Sequence, residues 1–136
     1  MTVVVDGPPV GRAARGLLRQ ASEALAEAHR ESEPLRRYPA AYLAAMRAAA
    51  AVLAVRARPQ VPQPRRGAGA GRNVWHLLGQ VAPELGEWAA FFASCSATRA
   101  AAEAGIARLV GQREADDLLR QSEQFVGIVR AALPVR

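Results

Sequence analysis

Between Tyr38 and Arg56 the chain carries a single charge, Arg47, set among nine alanines and a few Leu, Met and Val residues. Alanine is the strongest helix former, and the stretch holds no glycine to interrupt it. The spacing predicts a helix from about Leu35 to Arg56. Tyr38, Tyr42, Ala45 and Ala49 line one side of it, and Leu43, Met46, Ala50 and Leu53 line another. A helix apolar nearly all round is packed on more than one side, and its alanines let neighbouring backbones approach closely. The apolar run from Ala40 to Val55 is shorter than the roughly 20 residues that span a bilayer and contains Arg47, so it reads as a buried helix. No membrane partner is expected.

The flanking sequence supplies the helices that would cover it. From about Arg12 to Ser32, the residues Leu17, Leu18, Ala21, Leu25 and Ala28 recur at helical spacing. Pro34 separates this helix from the next. A short third helix is expected over Asn73 to Val81, with Asn73 as its cap. Pro83 suits the first turn of a fourth helix, whose stripe of Leu85, Trp88, Ala89, Phe92 and Cys95 runs on through Ala104 to a stop at Gly105. The last helix, about Gln112 to Leu133, carries Leu118, Leu119, Phe125, Val126 and Val129 on one face. Acidic residues in its first turn favour the positive end of the helix dipole. No segment alternates as a strand would. The expectation is an all-α, antiparallel bundle of four long helices plus one short helix. Residues 1–11 form a flexible arm, and 12–136 form one domain with a loop at 58–72.

Charge is distributed unevenly along this order. The formal net charge is +6, yet residues 36–72 contain eight arginines and no acid, and the segments before and after each sum to −1. A localised basic segment sets up a field that attracts polyanions. Its second half, Arg58 to Arg72, has three prolines, three glycines and four arginines in fifteen residues, which forbids a helix or central strand there. Arg58, Arg65, Arg66 and Arg72 are therefore the candidate RNA contacts. Arg47 must reach solvent or pair with one of Glu84, Glu87, Glu103, Asp116 and Asp117, because an unpaired buried cation is costly. It is a buried charge or a cleft residue.

Other chemistries are poorly served. Lone Cys95 and two isolated histidines offer no metal site, so no metal or cofactor is expected. The glycines at 67, 69 and 71 lack both the preceding strand and the Lys-Ser/Thr of a phosphate loop. His29 sits among charges and reads as solvated. Arg72 and His76, four apart, are the two residue types that metal-free RNA cleavage uses, a near-neutral acid or base and a cation for the phosphorane. Nothing at the N-terminus reads as a signal peptide, so the expected compartment is the cytoplasm.

The order of a helix, a tyrosine-led alanine helix (Tyr38-Pro-Ala-Ala-Tyr42-Leu-Ala-Ala-Met46-Arg-Ala), a variable loop and a short helix near a histidine resembles the HEPN domains. The likeness is to an alanine-rich branch from high-GC Gram-positive bacteria. It is carried by Val74-Trp75-His76-Leu77-Leu78, Val81 to Phe92 and Arg113-Glu-Ala-Asp-Asp117-Leu-Leu119, and covers roughly residues 14–132. The resemblance implies a helical bundle, commonly a homodimer, that acts on or binds RNA, often with a protein partner encoded nearby. Active members are metal-independent ribonucleases with an arginine, four to six residues and a histidine. Here three residues separate Arg72 from His76 and nine separate Arg66 from it, so neither spacing fits. The resemblance thus implies the fold and not the nuclease activity. The expected function is a non-catalytic module binding RNA or a protein, with a toxin-like ribonuclease or a purely structural interaction bundle as alternatives. A homodimer is further expected because Tyr38, Trp75 and Trp88 exceed what a monomeric bundle would bury.

Overall fold

The structure is a computed structural model that describes residues 9–56 and 70–133. Its helices are α1 (Pro9–Arg30), α2 (Pro34–Arg56), α3 (Ala70–Val81), α4 (Gly86–Ser94), α5 (Ser96–Glu103) and α6 (Gln112–Ala132), with single 3-10 turns at Pro83–Leu85 and Ala107–Leu109. No strand occurs among the described residues. The all-helical expectation holds. Residues 1–8 of the expected 1–11 arm, and 58–69 of the expected 58–72 loop, lie outside the described residues. α1 begins at Pro9, within the span expected to be an arm, and α3 begins at Ala70, within the expected loop.

α2 is the hub on which α1, α3, α5 and α6 pack. Ala41, Ala44, Ala45, Ala48, Ala49 and Ala51 on it are completely buried. At 23 residues α2 is long and apolar enough to cross a membrane by length and composition, beyond what the shorter Ala40–Val55 run implied, but half of it is buried inside this bundle. Pairs along the helices fix their directions. Arg130, near the end of α6, donates to the Leu18 carbonyl at 2.9 Å, and Glu123 meets His29 at the end of α1, so α1 and α6 are antiparallel. Arg37 and Asp116, each near the start of its helix, pair at 2.6 Å, so α2 and α6 run the same way.

The expected fourth helix is two helices. It breaks at Cys95, where Ser94 Oγ donates to the Phe91 carbonyl (2.5 Å) and Ser96 Oγ to the Ala93 carbonyl (2.9 Å). Serine hydroxyls that bond back to the preceding turn compete with the helical ladder and bend it. Gly105 does end α5, with φ at +79°, the left-handed region that favours glycine. The Ile106 amide donates to the Ala101 carbonyl and the Gly105 amide to Ala102, which satisfies the last carbonyls in a Schellman closure. At the start of α6 the Glu114 carboxylate accepts from the Gly111 amide at 2.7 Å.

The apolar interior centres on aromatic rings. Trp75 stacks on Phe92 with centroids 5.1 Å apart, and Phe125 meets Phe92 at 5.2 Å and Trp88 at 5.6 Å. Trp75 and Tyr38 are thus core residues, and Trp88 is half-buried. The expectation that these three stand outside the monomer's own core is wrong for the first two. An indole and a phenol each fit inside when their polar tip finds a partner. Trp75 Nε1 donates to the Tyr42 hydroxyl at 2.8 Å, with both residues buried.

Candidate functional site

His76 lies on the exposed side of α3, one position along from buried Trp75. It lines an open groove of about 460 Å³ between α3 and α4, floored by Gly79, Gly86, Ala89 and Ala93, with Gln80 one turn further on. Small side chains on both helices leave this space. Arg72 falls in the first turn of α3, and its side chain lies outside the described residues, as do Arg58, Arg65 and Arg66. The structure therefore places His76 at a groove and leaves the arginines expected beside it undescribed. Among the described residues no three His, Cys, Asp or Glu side chains gather as metal ligands, and Cys95 is a buried free thiol.

Arg47 is half-buried and forms no hydrogen bond or ion pair among the described residues. Four of the five acids that could have neutralised it are engaged elsewhere: Glu84 with Arg56, Glu103 with Arg99, Asp116 with Arg37, and Asp117 with Arg120. Long arginine stems lie along apolar surface with the head in water, and Arg47 fits that description. His29 is exposed, as expected, and contacts Glu123 Oε2 at 2.5 Å.

These ion pairs tune the carboxylates they hold. A hydrogen bond from Gln112, joined by Arg37, keeps the Asp116 carboxyl below its ordinary range, and Arg56 does the same for Glu84. Burial pushes the Tyr38 and Tyr42 phenols up, so both stay neutral through the physiological range.

A second concavity escaped the sequence reading. A cleft of about 210 Å³ lies where α2 meets α5, lined by Pro39, Tyr42, Leu43, Met46, Arg99 and Glu103. The Arg99 guanidinium sits 5.0 Å from the centroid of the Tyr42 ring, a cation–π contact. Its Nε is buried without a hydrogen-bond partner, and its Nη1 is a loose 3.4 Å from Glu103. The one sequence trace of this cleft is the four-residue spacing of Arg99 and Glu103, which marks them as helix neighbours. That spacing gives no hint of Tyr42, which lies on another helix.

Searches among curated proteins and among solved structures find no match to the chain. Residues 28–130, however, match the sequence profile of the SAV_6107-like HEPN family. That span runs from the end of α1 to the last turns of α6 and so takes in the α2 hub, both concavities and His76. The chain belongs to the HEPN family.

Proposed function

We propose that this HEPN chain is a non-catalytic helical module that holds an anionic partner. The observation that carries the reading is the fate of its arginines. All of the excess positive charge comes from residues 36–72. Within that stretch the fold neutralises Arg37 and Arg56 with Asp116 and Glu84, while Arg36 stands exposed and Arg47 has no counter-ion among the described residues. Charge left uncompensated by the fold is available to a partner. Single-stranded RNA is the polyanion that Arg58, Arg65, Arg66 and Arg72 would suit. If about three of them contact phosphates, the log–log slope of affinity against salt is near −2, at roughly 0.7 per contact. Replacing Arg65 and Arg66 by Ser should flatten the slope without moving the melting temperature. Unchanged affinity and slope in the double variant would remove RNA from the reading.

His76 at the α3–α4 groove, one turn after Arg72, is the observation that favours a second reading, a metal-independent ribonuclease. Against it stands the three-residue separation, shorter than the four to six of active HEPN enzymes. Misplacing a reacting group by about 1 Å can cost on the order of 10²-fold in rate. Purified protein is expected to leave single-stranded RNA intact in EDTA. Cleavage that disappears in His76→Ala would restore the enzyme.

Self-association stays in the proposal on different grounds from those the sequence offered. Tyr38 and Trp75 are interior, but Phe91, Leu109 and Ile128 are exposed. A two-fold homodimer would bury roughly 1,200–2,000 Å² in total. Light scattering at tens of micromolar protein reads it directly, and a monomeric mass would end it.

A further inference from the structure

One face of the hub helix is only partly covered by the described bundle. Pro39, Leu43, Met46, Ala50 and Leu53 recur at alternating spacings of four and three, the period of a helix-packing seam. All five are half-buried or exposed, and Leu43 is 41% exposed. The seam is about 21 Å long at 1.5 Å per residue. Near one end it dips into the 210 Å³ cleft between α2 and α5, which has room for a bulky apolar side chain beside Leu43 and Met46.

The charge around this seam has one sign on α2. That helix carries four arginines and no acid, and two of the four, Arg37 and Arg56, are neutralised by Asp116 and Glu84. Arg47 flanks the middle of the seam without a counter-ion among the described residues, and Arg36 stands exposed one turn before it. Arg99 borders the cleft from α5, held to Glu103 by a loose 3.4 Å contact.

We propose that the outer face of α2 docks an amphipathic helix of an acidic protein partner, one apolar side chain filling the α2–α5 cleft and carboxylates facing Arg47 and Arg99. The proposal rests on the reading of the chain as a binding module and names the partner for this face. Charge weighs against two other occupants, a second copy in antiparallel register and residues 57–69. A second copy matched antiparallel along the whole seam would centre on Met46 and bring Arg47 against Arg47, whereas a parallel copy would set the two arginines on opposite flanks and is left to the light-scattering arm of the test. Residues 57–69 carry Arg58, Arg65 and Arg66 and no acid, so they repeat the sign of the face. A nucleic-acid backbone would leave Leu43, Met46 and Leu53 against phosphates, whereas an apolar helix face buries them.

The test uses the full chain and two fluorescein-labelled peptides about four helical turns long. Both carry Leu at the two seam positions of each heptad. One has Glu and the other Lys at the flanking positions. Anisotropy should show saturable binding of the Glu peptide, with the Lys peptide at least tenfold weaker. Arg47→Glu should reverse that preference, and Leu43→Asp should abolish binding of both, each variant melting with the wild type. Absence of Glu-peptide binding, equal binding of the two peptides, or a preference untouched by Arg47→Glu overturns the proposal. So does a dimer that Leu43→Asp converts to monomers by light scattering, since the face would then join two copies. A single-stranded RNA arm separates the two readings. RNA bound without the Glu peptide removes the docking helix and leaves the module. RNA cut by a His76-dependent activity removes the non-catalytic module, whatever the peptides do.

Discussion

Tyr42→Phe deletes one oxygen from the centre of the bundle, and the structure says what that oxygen does. The phenol is fully buried and accepts a 2.8 Å hydrogen bond from Trp75 Nε1, itself in a residue 2% exposed. The indole N–H can only donate, and the Trp75 side chain is buried. Removing its acceptor leaves a buried donor unpaired, which costs about 1–3 kcal/mol. The ring of Phe still supports Arg99, so the cation–π contact survives and the loss isolates the hydrogen bond. For a domain of this size a loss of about 2 kcal/mol lowers the melting temperature by roughly 6–12 °C. The assay is thermal unfolding followed by circular dichroism. Trp75→Phe and the double variant complete a cycle, because without the indole N–H the Tyr42 hydroxyl has lost its donor. Deleting it in that background should cost little, and the coupling should be about 1 kcal/mol or more. A Tyr42→Phe protein that melts within about 1 °C of wild type, or a coupling near zero, would refute the reasoning.

Ser122 is completely buried on α6, and its Oγ has no hydrogen-bond partner among the described residues, so Ser122→Ala should raise the melting temperature by a few degrees; a lower one would mean that the hydroxyl is satisfied after all. Asp116 titrates below its ordinary 3.8 in the fold because Gln112 and Arg37 bond its charged form. Its contribution is therefore complete above about pH 4 and is lost as pH falls through the lower folded value. Asp116→Asn should melt lower at neutral pH and show a shallower decline in acid, and parallel acid limbs for the two proteins would contradict this.

The elements that local rules govern were legible in the sequence. Gly105 stops a helix because only its left-handed backbone closes the last turn, and the residues around it show as much. The alanines of α2 announce a helix packed on several sides, since nothing else buries so many small side chains in one run. The break at Cys95 was also encoded, in the two serines that flank it, but an apolar stripe running through Phe92 and Cys95 hid the signal. What local pattern cannot carry is pairing across the bundle. Trp75 belongs inside because Tyr42, 33 residues earlier, offers it an acceptor. Arg99 forms one wall of a cleft because α5 is re-aimed to lay it on that same ring. Neither partner is marked by spacing, and Trp75 therefore read as surplus apolar surface. The arginines proposed for RNA follow from composition alone. His76 was legible as a chemical type, while the groove that it borders depends on the glycines and alanines of two different helices.

The alanine hub changes how conformational freedom is lost on folding. Ordering a buried leucine or isoleucine freezes rotamers at about 0.5–1 kcal/mol each, whereas alanine has none to freeze. The six fully buried alanines from Ala41 to Ala51 therefore bring little apolar area but surrender no side-chain entropy as they are ordered. They also leave nothing that can swing aside. A larger residue at Ala44, Ala45, Ala48 or Ala49 would overpack a site where the alanine is completely buried, and the elements packed on it would have to shift to make room.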